Sequence, residues 1–120
     1  MWINMSLCET VSKLASEIEP QLNDLSESHK NMLSALISMP KYLEKNDLSE
    51  WDENYTNSIS DEEDETSKNY KAIYLLYEIA AYNLYTLYNP EKTEGLYAKV
   101  VKELKYLNIT ITNDLNVNKW

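Results

Sequence analysis

Apolar positions in the first part of the chain step by three and four. Leu7, Val11, Leu14, Ile18, Leu22 and Leu25 form one stripe, and Glu9, Lys13, Glu17 and Asp24 fall off it. That spacing predicts an amphipathic helix of about five turns with one buried face. Pro20 lies inside the stripe. An interior proline removes a backbone hydrogen bond and bends a helix. Because the pattern runs through it, the expectation is a kinked helix, not two helices joined by a loop. The stripe resumes at Met32, Leu33, Leu36 and Ile37, and Pro40 either ends that segment or opens a short piece holding Tyr42 and Leu43.

The second strong pattern is KAIYLLYEIAAYNLYTLY, from Lys71 to Tyr88. Between Ala72 and Tyr88 its only charge is Glu78. A helix apolar nearly all round belongs at the centre of a bundle. A membrane span needs about 20 predominantly apolar residues, and this stretch is shorter and interrupted by Glu78, Asn83, Thr86 and tyrosines, so no membrane association is expected. Thr66 and Ser67 precede it as candidate N-caps, with acids just before them to favour the positive end of the helix dipole. Glu78 and Asn83 are expected as register-setting or hydrogen-bonded core residues. Asn89-Pro90 reads as a stop and restart. A last helix carries Leu96, Val100, Val101, Leu104 and Leu107, and Gly95 weakens its first turn, so its regular part is expected to begin near Gly95. Beyond it, residues 109–120 form either a small hairpin around Asn113-Asp114 or an extended tail.

The sum is an all-α helical bundle of about four main segments in one domain over residues 1–120, with an acidic crossover and an extended C-terminal tail. The crossover, residues 46–67, carries nine acids and no Lys. The eleven other acids are balanced by the eleven Lys, so the net charge of −9 arises from this stretch. Its apolar residues are Leu48, Trp51, Tyr55 and Ile59. Leu48 and Trp51 allow a short helical turn to anchor the segment, while Ser58–Glu65 is expected to be an exposed, mobile loop whose deletion leaves stability nearly unchanged.

Composition narrows the chemistry. Phe and Arg are absent, and Tyr occurs ten times. Tyrosine as the aromatic filler brings many hydroxyls that need partners. The acidic balance argues against nucleic-acid binding, which draws on clustered Lys and Arg. Lys99, Lys102 and Lys105 recur every three residues and read as a solvated helix face. The lone Cys8 excludes an internal disulfide and sits in the apolar stripe as a small buried residue. The lone His29 reads as a cap or a surface residue. No Cys/His spacing suggests zinc, and Asp61–Glu65 lacks the alternating oxygen ligands and central Gly of an EF-hand loop. One Gly in the whole chain leaves no phosphate-cradling loop. No catalytic motif, metal site or cofactor site is expected. The N-terminus lacks a basic start and a long apolar run, so no signal peptide is expected and the protein is placed inside the cell.

The candidate site is a tyrosine set on the central helix: Tyr70, Tyr74, Tyr77, Tyr82, Tyr85 and Tyr88. It covers more than one face. Either it packs the core with hydroxyls reaching the surface, or it forms an interface for a protein partner, since Tyr is enriched at interfaces and hot spots. The occupant would be a partner helix or a second copy of the chain.

Short motifs bear on a family. The first helix holds Ser12-Lys13, Glu17, Pro20 and Leu25. The central helix holds Ala81-Tyr82-Asn83-Leu84, and the last holds Lys102-Glu103-Leu104-Lys105 followed by Tyr106. From Leu7 to Asn108 this resembles the small helical domain shared by neuroguidin, nuclear exosome cofactors and small-subunit-processome proteins. The resemblance implies pairing with a helical partner in nuclear RNA processing, and a nuclear location. The acidic insert departs from the pattern, and the Lys/Arg-rich tail by which such proteins touch RNA is absent. The leading expectation is therefore a non-enzymatic helical adaptor. The alternative is a small acidic viral or phage inhibitor whose carboxylates mimic phosphates in a nucleic-acid-processing system.

Overall fold

The computed structural model describes residues 5–59, 64–85 and 90–112, with side chains placed at 7–59, 64–81 and 95–112. The described residues form α1 (Met5–Ile18), a 3-10 turn (Glu19–Gln21), α2 (Glu27–Ile37), α3 (Met39–Tyr42), α4 (Leu48–Asn57), α5 (Lys68–Tyr85) and α6 (Pro90–Tyr106), with no strand among them. The all-α bundle expected from periodicity is the fold observed. Helix α1 packs on α2, α3 and α5, and α5 in turn packs on α2 and α6. The stripe Leu7, Val11, Leu14 and Ile18 is fully buried against Met32, Leu33 and Leu36 of α2, Ile73 and Leu76 of α5, and Val100 and Leu104 of α6.

Pro20 does not kink a continuous helix. Helix α1 ends at Ile18, Pro20 sits early in the 3-10 turn, and residues 22–26 are non-helical. Two local choices explain the break. Asp24 takes a left-handed conformation, φ 56°, which a helix cannot continue through. Ser26 then caps a new helix: its Oγ accepts from the His29 N–H at 3.0 Å, and His29 Nδ1 accepts from the Ser26 N–H at 3.2 Å. His29 is thus the cap it was expected to be, but it is buried and not on the surface. Leu22 still reaches the core after the break, which is why the apolar period survived it in the sequence.

The acidic crossover is more structured than its charge implied. Helix α4 runs for 10 residues, and Leu48, Trp51 and Tyr55 are all buried. Burying three such side chains contributes on the order of 2–3 kcal/mol each, enough to hold a helix whose other positions are polar. The Trp51 indole N–H also donates to the Ala35 carbonyl at 3.0 Å, in the last turn of α2, where carbonyls lack helical partners. The exposure expected of Ser58–Glu65 holds for Asp64 and Glu65. It fails for the first two residues. Ser58 accepts a hydrogen bond from Ser28 Oγ at 2.7 Å through its carbonyl, and Ile59 packs against the core. Residues 60–63, and with them the mobility expected there, lie outside the described residues.

Ser67 is the N-cap foreseen for α5, its Oγ accepting from the Tyr70 N–H at 3.1 Å. Helix α6 begins at Pro90, as the Asn-Pro signal predicted, and not near Gly95, which lies inside it on an exposed position. It ends on a left-handed residue, Asn108 at φ 62°. The Ile109 N–H donates to the Leu104 carbonyl and the Asn108 N–H to the Lys105 carbonyl, both at 3.0 Å, which is a Schellman closure. Its usual hydrophobic contact is supplied by Ile109 and Leu104, both buried.

That closure turns the chain back over the end of α1. Residues 109–112, outside any helix, follow as a strap. Gln21 pairs with the Thr110 backbone in both directions, donating from Nε2 to the carbonyl and accepting the N–H at Oε1, each at 2.8 Å. Glu17 Oε1 accepts from the Thr112 hydroxyl at 2.7 Å and from the Thr112 N–H. The hairpin considered around Asn113-Asp114 lies outside the described residues.

Candidate functional site: a tyrosine-lined groove between α5 and α6

Tyr70, Tyr74 and Tyr77 fall at successive turns of α5, while Trp51 and Tyr55 fall one turn apart on α4. Docking of α4 brings the two sets into one row of rings. Tyr70 and Tyr74 stack at 6.0 Å and 10°. Tyr74 meets Tyr77 at 6.1 Å, tilted by 44°. Tyr77 lies flat on Tyr55 at 4.3 Å and 4°, and Trp51 stacks on both. The row runs from solvent inward: Tyr74 is 40 % exposed, Tyr70 and Tyr77 are half-buried, and Tyr55 is 1 % exposed.

The two ends of the row differ chemically. At the inner end the Tyr77 hydroxyl donates to Asp52 Oδ1 at 2.5 Å, a charge-assisted bond that ties α5 to α4. The Tyr55 hydroxyl is buried with no hydrogen-bond partner among the described residues. Burial pushes its phenol well above the usual tyrosine range, with the neighbouring Tyr70, Tyr77, Tyr74 and Asp52 adding to the shift. Tyr55 is therefore neutral at any ordinary pH.

The outer end opens into a groove of about 670 Å³ between α5 and α6. Tyr70, Tyr74 and Tyr106 line it with rings, and Leu75 and Leu107 with aliphatic carbon. Glu65, Glu78 and Glu103 bring three carboxylates, and Lys71 the single amine. Tyr106 is 76 % exposed. At the α5 entry Asp64 Oδ1 accepts from both the Thr66 hydroxyl, at 2.6 Å, and the Thr66 N–H, at 2.9 Å. These bonds hold the Asp64 carboxyl below the usual carboxylate range, with a smaller contribution from the charge of Lys71.

The tyrosine set expected as a site is thus divided. Tyr70 and Tyr74 reach the groove, and Tyr77 turns inward to Tyr55 and Asp52. Tyr82 and Tyr85 lie on α5 with side chains outside the described residues, and Tyr88 lies outside them altogether. Glu78 is a half-buried groove residue and not a core residue, because the face of α5 it shares with Lys71 and Tyr74 is not covered. Sequence reasoning missed Tyr106, Glu103 and Glu65. Tyr106 did leave a signal, as an aromatic residue off the apolar stripe of its own helix. Lys99, Lys102 and Lys105 are exposed, as a solvated face would be.

Cys8 is buried in the core of α1, and burial pushes its thiol up to about 11. No group of three or more metal-ligating side chains occurs among the described residues. No helix of the described residues is long and apolar enough to cross a membrane. The groove offers flat rings, aliphatic floor and carboxylates, which suits recognition by contact. Comparisons with protein families, with curated proteins and with solved structures returned no match.

Proposed function

We propose that the protein is a non-enzymatic helical adaptor that docks a partner protein in the α5–α6 groove. One observation carries this reading. The large hydrophobic side chains that stand exposed among the described residues are Tyr74 and Tyr106, and both line this groove. Rings left in water on either side of a concave surface are the material of interface hot spots. The test is differential capture. Wild type and a Tyr74→Ala, Tyr106→Ala variant are used as baits in lysate of the native host, alongside measurement of oligomeric state. Loss of a protein that wild type retains, or of self-association, supports the groove as the docking site. An unchanged set of bound proteins on a variant that keeps its helical circular dichroism overturns it. The family resemblance in the sequence would assign the partner to nuclear RNA processing. The docking reading stands without that assignment.

The acidic-inhibitor reading has one observation in its favour. Asp47, Glu50 and Glu53 are exposed on or beside an ordered helix, and phosphate mimicry needs fixed carboxylates. Salt-sensitive capture of a nucleic-acid enzyme, abolished by Glu50→Gln with Glu53→Gln, is its expected signature. Capture that survives those changes sinks it.

A further inference from the structure

We infer that the occupant of the α5–α6 groove is a basic, Arg- or Lys-bearing segment of a polypeptide partner. This rests on the docking reading above and adds the chemistry of what docks. The groove carries three carboxylates against one amine, and that amine, Lys71, already lies within the electrostatic reach of Asp64 at the rim. Among the described residues, no hydrogen bond or ion pair engages the carboxylates of Glu78 and Glu103. The same groove presents the near-parallel rings of Tyr70 and Tyr74 and the exposed ring of Tyr106.

Each alternative occupant meets a physical obstacle. A purely apolar helix laid in the groove would strip water from Glu78 and Glu103 and give them no counter-charge, which costs more than the contact returns. An acidic segment or a nucleic acid would be repelled by the same carboxylates. A guanidinium or ammonium on a long aliphatic stem fits both surfaces. The stem lies on Leu75, Leu107 and the tyrosine faces, and the head meets a carboxylate or stacks on a ring.

The probes are three fluorescein-labelled decapeptides that alternate alanine with arginine, glutamine or glutamate, read by fluorescence anisotropy at low and at physiological salt. The arginine peptide is expected to bind and the other two to stay free. Its affinity should fall about five- to tenfold on Glu78→Gln with Glu103→Gln, and by a similar factor on Tyr74→Ala. It should hold within about twofold on Glu27→Gln with Glu44→Gln, a charge-matched change at exposed positions outside the groove. Equal loss from the two carboxylate pairs would mean diffuse attraction to an acidic protein and would overturn the inference. So would equal binding of the glutamine peptide, or no binding of the arginine peptide at millimolar concentration. The two readings fail differently. A natural partner lost with Tyr74→Ala, Tyr106→Ala but kept with Glu78→Gln, Glu103→Gln removes the basic occupant and leaves the docking site. A partner kept by both variants removes the docking site itself.

Discussion

Tyr55 and Tyr77 are stacked at 4.3 Å, yet their hydroxyls have opposite fates. Tyr77 donates to a carboxylate, while Tyr55 buries a hydroxyl unpaired among the described residues. Removing a buried, unsatisfied polar atom is neutral or favourable, whereas removing a bond to a charged group costs about 1.5–3 kcal/mol. Urea denaturation should therefore show Tyr55→Phe equal to wild type or more stable by up to about 1 kcal/mol, and Tyr77→Phe clearly less stable. Equal losses from the two would mean that the hydroxyls are equivalently satisfied. Cys8 supplies a second residue-scale test. Its thiol titrates at about 11 in the folded protein, against 9.0 for an unperturbed cysteine. The folded state thus favours the neutral thiol. That contribution is fully present below about pH 9 and is lost as the pH rises towards 11. Melting temperature should fall across that window in wild type and fall less in Cys8→Ala, and a thiol-specific reagent should label the native protein slowly at about pH 8.

At the scale of elements, what the sequence disclosed and what it hid divide along one physical line. Periodicity reports burial, so the Leu7–Ile18 stripe and the apolar run of α5 were readable directly. It does not report which neighbour supplies the burial. Helix α4 has only three inward residues among acids, and its average composition resembles a solvated loop. Its docking then decides that Tyr77 faces inward while Tyr74 stays in water, and nothing within α5 itself encodes that division. The chain break at Pro20 was missed for a related reason. The apolar step from Ile18 to Leu22 fits a helix, but Leu22 reaches the core from an extended backbone. Gly95 offers a clean test of the α6 assignment. A Cβ built there meets nothing within 4 Å, so Gly95→Ala should stabilise the protein by about 1 kcal/mol through helix propensity alone. An unchanged or lowered melting temperature would argue that α6 starts beyond this position.

The whole molecule is organised around an asymmetry in how α5 is covered. Helices α1, α2 and α6 close most of its surface, and the Lys71–Tyr74–Glu78 side is left as one wall of the groove. The excess of negative charge sits in the segment leading into α5, and Glu65 carries it to the groove's edge. Such a field speeds the approach of a basic segment and weakens with salt, so association rates should carry the salt dependence more than dissociation rates do. The strap at residues 109–112 has a consequence of another kind. Its bonds to Glu17 and Gln21 join positions 89 and 95 residues apart along the chain. A ribosome delivers Gln21 89 residues before Thr110, so α1 waits unlatched until nearly all of the described chain has emerged. Polar contacts at the edge of a bundle, made by a segment that can close only once α1 and α6 share the core, belong on the native side of the folding barrier. A chain ending at Asn108 should then refold at the normal speed but unfold faster, which stopped-flow mixing measures on both limbs. A slowed refolding limb would instead make the strap part of the nucleus. If the strap does form last, the newly made protein passes through a state that is folded but still open at one end, and that state is the one a cellular protease or chaperone would meet first.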